Sequence, residues 1–151
     1  MSKPKVSISQ INIIAKDHDA TLRFYRMVGL DIPEPINQPA GALHAVSKND
    51  RGMLLEVDNH HLAGIYHAGI RKDGNSSGST IIGISLESRD LVDETYDKLV
   101  AAGFEGRQPP YDAFWGSRYA VVADPDGNDV GLMSPLDEGK TSWPPANSPE
   151  P

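Results

Sequence analysis

Two groups of residues in this sequence could do chemistry on a bound molecule. Glu56 is the first, because it stands in the strand-like stretch Leu54–Val57, where burial can raise the pKa of a carboxyl group until it serves as a base. The second is a cluster of four aromatic residues within nine positions: Tyr111, Phe114, Trp115 and Tyr119. Aromatic rings bind planar groups by stacking and need no metal, although one or two of them could equally fill a core. Together these residues favour a site for a small molecule.

Other familiar chemistries lack the residues that they need. The chain has no cysteine, which excludes disulfides, thiolate zinc sites, iron–sulfur clusters and a cysteine nucleophile. No glycine-rich loop follows a strand and opens a helix, so a nucleotide phosphate site is not indicated, and no Gly-x-Ser-x-Gly elbow is present. The histidines are expected to be structural or to lie in a linker on the surface: His18, His44, His60, His61 and His67.

Composition limits the partners of the protein. The 151 residues carry a formal net charge of -7, and the pI is about 5.1. An acidic surface repels phosphate backbones and anionic lipids, so we expect neither nucleic acid nor a membrane as a partner. No apolar run approaches the roughly 18 residues that a membrane-spanning helix needs, and Met1–Lys5 shows no signal-peptide pattern. We therefore expect a cytoplasmic protein.

The elements that would position these residues occur twice in the chain. Each half begins with a strand-like stretch, at 6–14 and at 80–86, and continues with a helix that has an aspartate as N-cap candidate and a glycine as its stop. A hairpin with a turn rich in Gly and Asp completes each half. Three landmarks recur at distances of 73, 74 and 75 residues: Asp17 and Asp90, Gly29 and Gly103, and Gly52 and Gly127. This register indicates a duplicated unit of strand, helix and three strands.

The repeat predicts an α+β fold of two tandem βαβββ modules whose curved mixed sheets surround a cleft. We place the first module at 1–58, a linker at 59–79, the second module at 80–134 and a Pro-rich C-terminal tail at 135–151, all in one structural domain. The stretches 36–42 and 107–114 contain Pro and Gly and are expected to form irregular edge segments or loops. Mobility is expected at 73–78. The tail is expected to be loose unless Trp143 packs on the body of the protein or on a second subunit.

Four short motifs resemble those of a known family. Gln10–Asp17 and Phe24–Leu30 resemble the first module of the glyoxalase/bleomycin resistance/extradiol dioxygenase group, also called the vicinal oxygen chelate superfamily. Trp115–Tyr119 and Asp124–Asn128 resemble the last hairpin of its second module, and the resemblance extends over residues 6–134. It implies paired βαβββ modules, a cleft in each curved sheet and a homodimer.

The resemblance also implies a divalent metal, which enzymes of the family hold by His or Glu on the first and last strands of each module. The matching positions here are Gln10, Glu56, Ile81 and Gly131. Ile81 and Gly131 have no donor atom, and Gln10 offers only a neutral amide oxygen. A divalent ion generally takes three or more protein donors. We therefore expect no metal and no other cofactor, and an atypical divalent-metal set is the alternative.

Two functions stay open at this point. The first is the binding of a small, partly aromatic molecule without a metal, for sequestration or antibiotic resistance, as in the bleomycin resistance branch. Its expected ligand-binding residues are Gln10, Asn12, Glu56, Tyr111, Phe114, Trp115 and Tyr119. The second is an enzyme with Glu56 as its catalytic residue, either a lyase or dioxygenase with an atypical metal set or a metal-free isomerase or hydrolase. The missing metal ligands and the aromatic cluster favour the first.

Overall fold

Each half of the chain consists of one strand, one helix and three further strands, which confirms the two-module α+β prediction. The computed structural model describes residues 5–34, 36–37, 41–69 and 80–142. The first half contains β1 Val6–Ala15, α1 His18–Val28, β2 Ile36–Asn37, β3 Leu43–Lys48 and β4 Leu54–Asn59, followed by α2 His60–Tyr66. The second half contains β5 Thr80–Leu86, α3 Arg89–Ala101, β6 Gly106–Asp112, β7 Arg118–Ala123, β8 Asp129–Met133 and a 3-10 helix at Glu138–Lys140.

The two modules form one curved, open, mixed sheet. Its eight described strands follow the order β2-β3-β4-β1-β5-β8-β7-β6. Within each module the first strand pairs in parallel with the last, β1 with β4 and β5 with β8. The modules meet at β1 and β5, which pair antiparallel within the chain, with Gln10 opposite Gly83 and Asn12 opposite Ile81.

The segments predicted to be irregular edges lie at the two ends of this sheet, as β2 and β6. β6 contains Pro109 and Pro110, and its pairing with β7 shifts register twice between Gly106 and Tyr111. Proline has no N–H to donate to a neighbouring strand, so an edge position tolerates it. The edge prediction is therefore confirmed for both described segments.

Both long helices begin at a capping side chain, but one cap differs from the prediction. Asp17 caps α1 as predicted, since its carboxylate accepts from Ala20 N at 2.9 Å. The cap of α3 is Ser88, whose hydroxyl oxygen accepts from Leu91 N at 3.1 Å. Asp90 lies in the first turn of α3 instead. The prediction of Asp90 as the cap is wrong because Ser88 already supplies the acceptor two residues earlier, whereas an acid in the first turn interacts with the helix dipole.

Helices α1 and α3 cover one face of the sheet. Leu22 of α1 packs with buried side chains of β1, β3 and β4, and Val92 of α3 packs with those of β5, β7 and β8. Side chains alternate between the two faces of a strand. Ile84 accordingly packs on the α3 side, whereas Ile81 belongs to the core on the other side, as predicted. This second face carries α2 and the cleft.

The predicted linker at 59–79 begins with a helix. Asn59 caps α2, and its side-chain oxygen accepts from Leu62 N at 2.9 Å. Leu62 and Tyr66 of α2 are buried. The stretch 73–78 and the tail residue Trp143 lie outside the described residues. Within the part of the chain that the structure describes, no helix has both the length and the apolar character needed to cross a membrane.

Candidate functional site

A cleft of about 500 Å³ opens on the face of the sheet opposite α1 and α3. Both modules line it, so its shape depends on the pairing of β1 with β5. The volume lies in the range of pockets that hold small organic molecules. The polar wall of the cleft is formed by Gln10, Asn12, His44, Glu56 and Asp58. The aromatic wall is formed by Tyr66, Phe114, Trp115 and Tyr119.

The polar wall is built from side chains on three neighbouring strands, β3, β4 and β1. Residues two positions apart on a strand point to the same face, which places Glu56 and Asp58 side by side on β4. The strand register sets Asn12 opposite Glu56 and His44 opposite Asp58. Cross-strand neighbours of this kind are close enough for their side chains to contact each other.

Gln10 and Asn12 hold one oxygen of Glu56. Gln10 Nε2 donates to Asn12 Oδ1 at 2.7 Å and to Glu56 Oε2 at 3.2 Å. Asn12 Nδ2 donates to the same Glu56 oxygen at 2.8 Å. The other carboxylate oxygen, Oε1, forms no hydrogen bond with any residue that the structure describes. Glu56 therefore has one oxygen bound by the protein and one that can accept from a ligand in the cleft.

Asp58 is only 1% exposed and accepts hydrogen bonds from three groups. His44 Nδ1 lies 2.5 Å from Oδ1. The hydroxyl of Tyr66 donates to Oδ2 at 2.7 Å, and Asn12 Nδ2 donates to Oδ2 at 3.3 Å. A buried carboxylate is stable only with such donors. Because an ionised carboxylate only accepts, Nδ1 of His44 carries the proton in this pair.

Burial and charge change the titration of three groups around Asp58. Burial raises the pKa of Glu56 above its ordinary value; the charge of Asp58 adds to this, while His44 and the two amides act to lower it. For His44, burial lowers the pKa, but the hydrogen bond and the charge of Asp58 outweigh burial and leave the pKa raised. Burial and then the charge of Asp58 raise the pKa of Tyr66 well above its usual range, so Tyr66 is a neutral donor.

The aromatic wall is a set of rings in edge-to-face contact, with Trp115 at its centre. The Trp115 centroid lies 5.1 Å from that of Tyr119, 5.2 Å from that of Phe114 and 5.9 Å from that of Tyr66. The interplanar angles of these pairs run from 70° to 89°, an arrangement that aromatic pairs favour. Trp115 is half-buried, so it is held by its neighbours and still lines the cleft.

Six of the seven residues predicted to bind ligand line this one cleft: Gln10, Asn12, Glu56, Phe114, Trp115 and Tyr119. Tyr111 is not among the lining residues. Its ring packs on Tyr119 with centroids 6.3 Å apart, and its hydroxyl donates to the backbone oxygen of Tyr66 at 3.1 Å. Tyr111 therefore supports the aromatic wall from outside the cleft. Contact of the other six with a ligand stays a prediction.

Asp58 and Tyr66 belong to the site although the sequence did not predict them there, and His44 belongs to it although a structural role was expected. The sequence does contain a signal for Asp58, since it stands two residues after Glu56 and alternate residues of a strand share a face. The hairpin turn at 49–52 also implies the register that brings His44 opposite Asp58. No comparable signal exists for Tyr66, because its place depends on how α2 packs over the strands.

The second module holds no metal donor at the positions that the family resemblance implies. Gly83 pairs with both Gln10 and Gly131 in the sheet. A Cβ atom at Gly83 would lie 2.4 Å from Gln10 Cγ, and one at Gly131 would lie 2.9 Å from the Tyr119 hydroxyl oxygen. A histidine or glutamate at either position would therefore displace a neighbour. Ile81, which alternation indicated as the position on β5, is 1% exposed and packed in the core.

The first module brings together His44, Glu56 and Asp58, with one donor atom from each within 4.8 Å of the others. These groups already have protein partners, since His44 bonds to one oxygen of Asp58 and Tyr66 to the other. Of these three residues, only Glu56 stands at one of the four positions that the family resemblance implies. The residues present therefore do not fit the four-position metal arrangement that the family resemblance implies.

Two other histidines are engaged away from the cleft. His18 is buried, and its Nε2 lies 2.9 Å from the backbone oxygen of Val57, which is a structural role as predicted. His67 is 0% exposed, and its Nε2 lies 2.9 Å from Asp129 Oδ2. Arg107 Nε lies 2.9 Å from the other oxygen of Asp129. The expectation that His67 lies on the surface is wrong, because Asp129 satisfies its ring inside the protein.

A model of the Glyoxalase/Bleomycin resistance protein/Dioxygenase superfamily matches residues 7–132 of this chain. The matched region runs from β1 to β8 and leaves out only the first residue of β1 and the last residue of β8. No curated protein matches the chain.

Several solved structures share the fold. A hypothetical protein from Bacillus halodurans C-125 is 16% identical with a TM-score of 0.59, over 87% of this chain and 96% of that one. The NAD-dependent benzaldehyde dehydrogenase from Legionella pneumophila is 17% identical with a TM-score of 0.57, over 85% and 98%. The Mn(II)-bound glyoxalase from Novosphingobium aromaticivorans is 20% identical with a TM-score of 0.57, over 93% of this chain and 42% of that one. At these identities the likeness shows the fold alone.

Proposed function

The chain belongs to the Glyoxalase/Bleomycin resistance protein/Dioxygenase superfamily, and within it we propose that this protein binds a small, partly aromatic molecule in its cleft without a metal. The observation that supports this most directly is that a polar wall and an aromatic wall line one cleft of about 500 Å³. Sequestration of such a molecule, as in antibiotic resistance, is the role that we propose for the binding.

The aromatic wall supports an apolar, planar part in the ligand. Trp115 and Phe114 are half-buried and line the cleft. A ligand ring that packs against Trp115 would gain about 0.5–1.5 kcal/mol per aromatic pair in addition to the burial of apolar area. The neighbouring rings hold Trp115 in place before the ligand arrives, so little side-chain entropy is lost on binding.

The polar wall supports a cationic or N–H-donating group in the same ligand. Two carboxylates, Glu56 and Asp58, face one histidine in this wall, so the wall does not attract anions. Glu56 Oε1 is the acceptor that no described residue occupies. A hydrogen bond from a charged donor to a carboxylate is about twice as strong as one between neutral groups. We therefore propose an amine or amidine close to the ring of the ligand.

Three probes that share a 4-nitrophenyl ring and have the same number of carbon atoms test this proposal: 4-nitrobenzylamine, 4-nitrobenzyl alcohol and 4-nitrobenzoate. The chain has two tryptophans, Trp115 and Trp143, and five tyrosines, so Trp143→Phe leaves Trp115 as the single tryptophan, whose fluorescence is excited selectively at wavelengths that tyrosine does not absorb. We expect saturable quenching of Trp115 with the amine bound most tightly and the carboxylate most weakly. Glu56→Gln should remove the preference for the amine over the alcohol, a loss of roughly 10-fold in affinity for a charge-assisted hydrogen bond.

Calorimetry of Trp115→Ala completes this test, because that variant lacks the fluorophore. Its affinity for the amine should fall, whereas Phe24→Ala, an aromatic residue 60% exposed on α1, is the matched control and should bind normally. If none of the three probes quenches Trp115 saturably in folded protein, the binding proposal is wrong.

We also propose that the protein is a cytoplasmic homodimer with neither nucleic acid nor a membrane as its partner. The formal net charge of -7 supports the exclusion of polyanions. Apolar side chains on α1 support the dimer, since Phe24 is 60% exposed and Met27 is 82% exposed.

A further inference from the structure

His44 lines the cleft and has one ring nitrogen that no described residue binds. Its Nδ1 is bonded to Asp58 Oδ1, while Nε2, at the other side of the ring, forms no hydrogen bond with any described residue. The side chain is 23% exposed and lines the cleft. Nδ1 is therefore protonated and held by the protein, and the lone pair of Nε2 is open to a bound molecule.

Asp58 is itself fixed, which makes it suitable to orient His44. Tyr66 and Asn12 donate to its second oxygen, and the carboxylate is buried. When Nε2 takes up a proton, the imidazolium that forms lies against this carboxylate and is stabilised by it. Among the described residues, the charged groups that face His44 are Asp58 and Glu56 of β4, and Tyr66 of α2 is a neutral donor.

Tyr66 connects this pair to the aromatic wall. Its hydroxyl oxygen lies 2.7 Å from Asp58 Oδ2. Its ring centroid lies 5.9 Å from Trp115 and 5.9 Å from Tyr119. Tyr66 therefore contacts Asp58 of this pair and two rings of the aromatic wall, so the pair and the wall belong to one connected site.

We propose that His44 is a general base of this cleft, oriented by Asp58, and that it removes a proton from a carbon acid bound against the aromatic wall. The proposal rests on the proposed function, because the cleft must first bind such a molecule. The substrate class is an apolar or aromatic molecule with a C–H bond acidified by an adjacent carbonyl, imine or nitro group. Nε2 takes the proton, and the C–H electron pair moves into the unsaturated group of the substrate. The imidazolium then returns the proton to a neighbouring atom of the substrate or to solvent, so no oxidant or reductant takes part.

5-Nitrobenzisoxazole is a suitable probe, because it is aromatic and requires only a base. Nε2 would take the proton from C3, the C–H pair would form a nitrile, and the N–O bond would break to leave a coloured phenolate. We expect turnover to fall about 100-fold in His44→Ala, the usual size of a general-base contribution. Binding of the probe should not change. It is measured by the quenching of Trp115 fluorescence in the Trp143→Phe protein. Free imidazole should restore part of the turnover of His44→Ala, because it supplies the missing base.

A matched control and a positioning variant complete this experiment. His61→Ala removes an exposed histidine of α2 and should keep the turnover of the parent protein. Asp58→Asn should lower turnover without weakening probe binding. Nitrogen NMR of the His44 ring should show the Nδ1–H tautomer in the parent protein and its loss in Asp58→Asn. If Asp58→Asn does not fold, Tyr66→Phe, which removes one donor to Asp58, should give a smaller change in the same direction.

Three results would overturn this proposal, and they can be told apart. Unchanged turnover in His44→Ala with the probe still bound means that Glu56 or solvent is the base. Turnover that is lost with a chelator and restored by Mn²⁺ means that the cleft is a metal centre. Absence of quenching by every aromatic probe contradicts the binding function itself, and the assignment of a base then has no substrate site on which to act.

Discussion

Glu56 and Asp58 are two residues apart on one strand, yet their surroundings separate their roles. Asp58 is buried and accepts three hydrogen bonds, so both of its oxygens are used inside the protein. Glu56 is half-buried and keeps one oxygen free of described partners. Burial also raises the pKa of Glu56. Neighbouring carboxyl groups whose environments differ in this way are typical of sites where one group positions and the other contacts a ligand.

The His44–Asp58 pair should make stability depend on pH in a defined direction. The pKa of His44 in the folded protein is raised above its ordinary value of 6.5, because the hydrogen bond and charge of Asp58 outweigh burial. A raised pKa means that the folded state binds the proton more tightly than the unfolded state. The stabilisation is therefore fully present below about pH 6.5 and is lost as the pH rises through the raised pKa of His44.

Urea unfolding of the parent protein and of His44→Gln at a series of pH values measures this effect. The difference in free energy of unfolding between the two proteins should be largest on the acid side of about pH 6.5 and should shrink as the pH rises through the raised pKa of His44. His61→Gln, which changes an exposed histidine on α2, should show no such trend. A difference between the parent and His44→Gln that is constant with pH would mean that His44 does not gain a proton on folding.

The residues of the site were predictable from sequence to the extent that their chemistry is local. Glu56 stands out as the acid in the otherwise apolar stretch Leu54–Val57, and Trp115 stands out in a dense aromatic cluster. The pairing of His44 with Asp58 is not local, because it requires the register between β3 and β4. His67 shows the same limit, since its partner Asp129 lies 62 residues away in sequence.

Among the elements, β1 and β5 form the seam between the modules. Gly83 on β5 lies opposite Gln10 on β1, and the missing side chain leaves room for the Gln10 side chain to reach Asn12 and Glu56. A Cβ atom at Gly83 would lie 2.4 Å from Gln10 Cγ. The glycine therefore contributes to the polar wall indirectly, through the space that it leaves.

Gly83→Ala should destabilise the protein and disturb the polar wall. The methyl group would force Gln10 to move in a packed region, and overpacking of this kind costs about 1–3 kcal/mol of the free energy of unfolding. Gln10 would then lose its hydrogen bonds to Asn12 and Glu56. Urea unfolding measures the loss, and Gly139→Ala, in the exposed 3-10 helix, is the control with a much smaller effect. Unchanged stability in Gly83→Ala would show that the Gln10 side chain moves aside without cost.

The elements themselves were largely predictable, because caps, turns and hydrophobic periods act over a few residues. Asp17 as a helix cap and the glycines that follow the helices could be recognised in this way. The recurrence of this pattern indicated two modules. The wrong N-cap prediction at α3 has a local cause. Ser88 and Asp90 are both good N-cap residues, and which of them caps the helix depends on the residue at which the helical backbone begins. α2 was not predicted because seven residues with little periodicity carry no clear helical signal.

At the scale of the whole molecule, the cleft exists because the two modules share one sheet. The polar wall comes from β1, β3 and β4 of the first module. Three of the four rings of the aromatic wall, Phe114, Trp115 and Tyr119, come from the second. The repeat could predict two modules and a cleft, but not which residues would face each other, because that depends on pairing between strands about 70 residues apart in sequence.

The surface of the molecule leads to the last prediction, that the protein dimerises through its first module. Phe24, Met27 and Val28 of α1 are 60%, 82% and 65% exposed, and Ile8 of β1 is 62% exposed. Water-exposed apolar groups of this size are typical of contact surfaces. Sedimentation velocity should therefore show a dimer at micromolar concentration, and Met27→Glu should shift it toward monomer because a charge would be buried in the contact. Val100→Glu, at a position 42% exposed on α3, is the control and should leave the dimer intact. A parent protein that sediments as a monomer would contradict the prediction. Dissociation by Val100→Glu and not by Met27→Glu would mean that the contact lies on the second module.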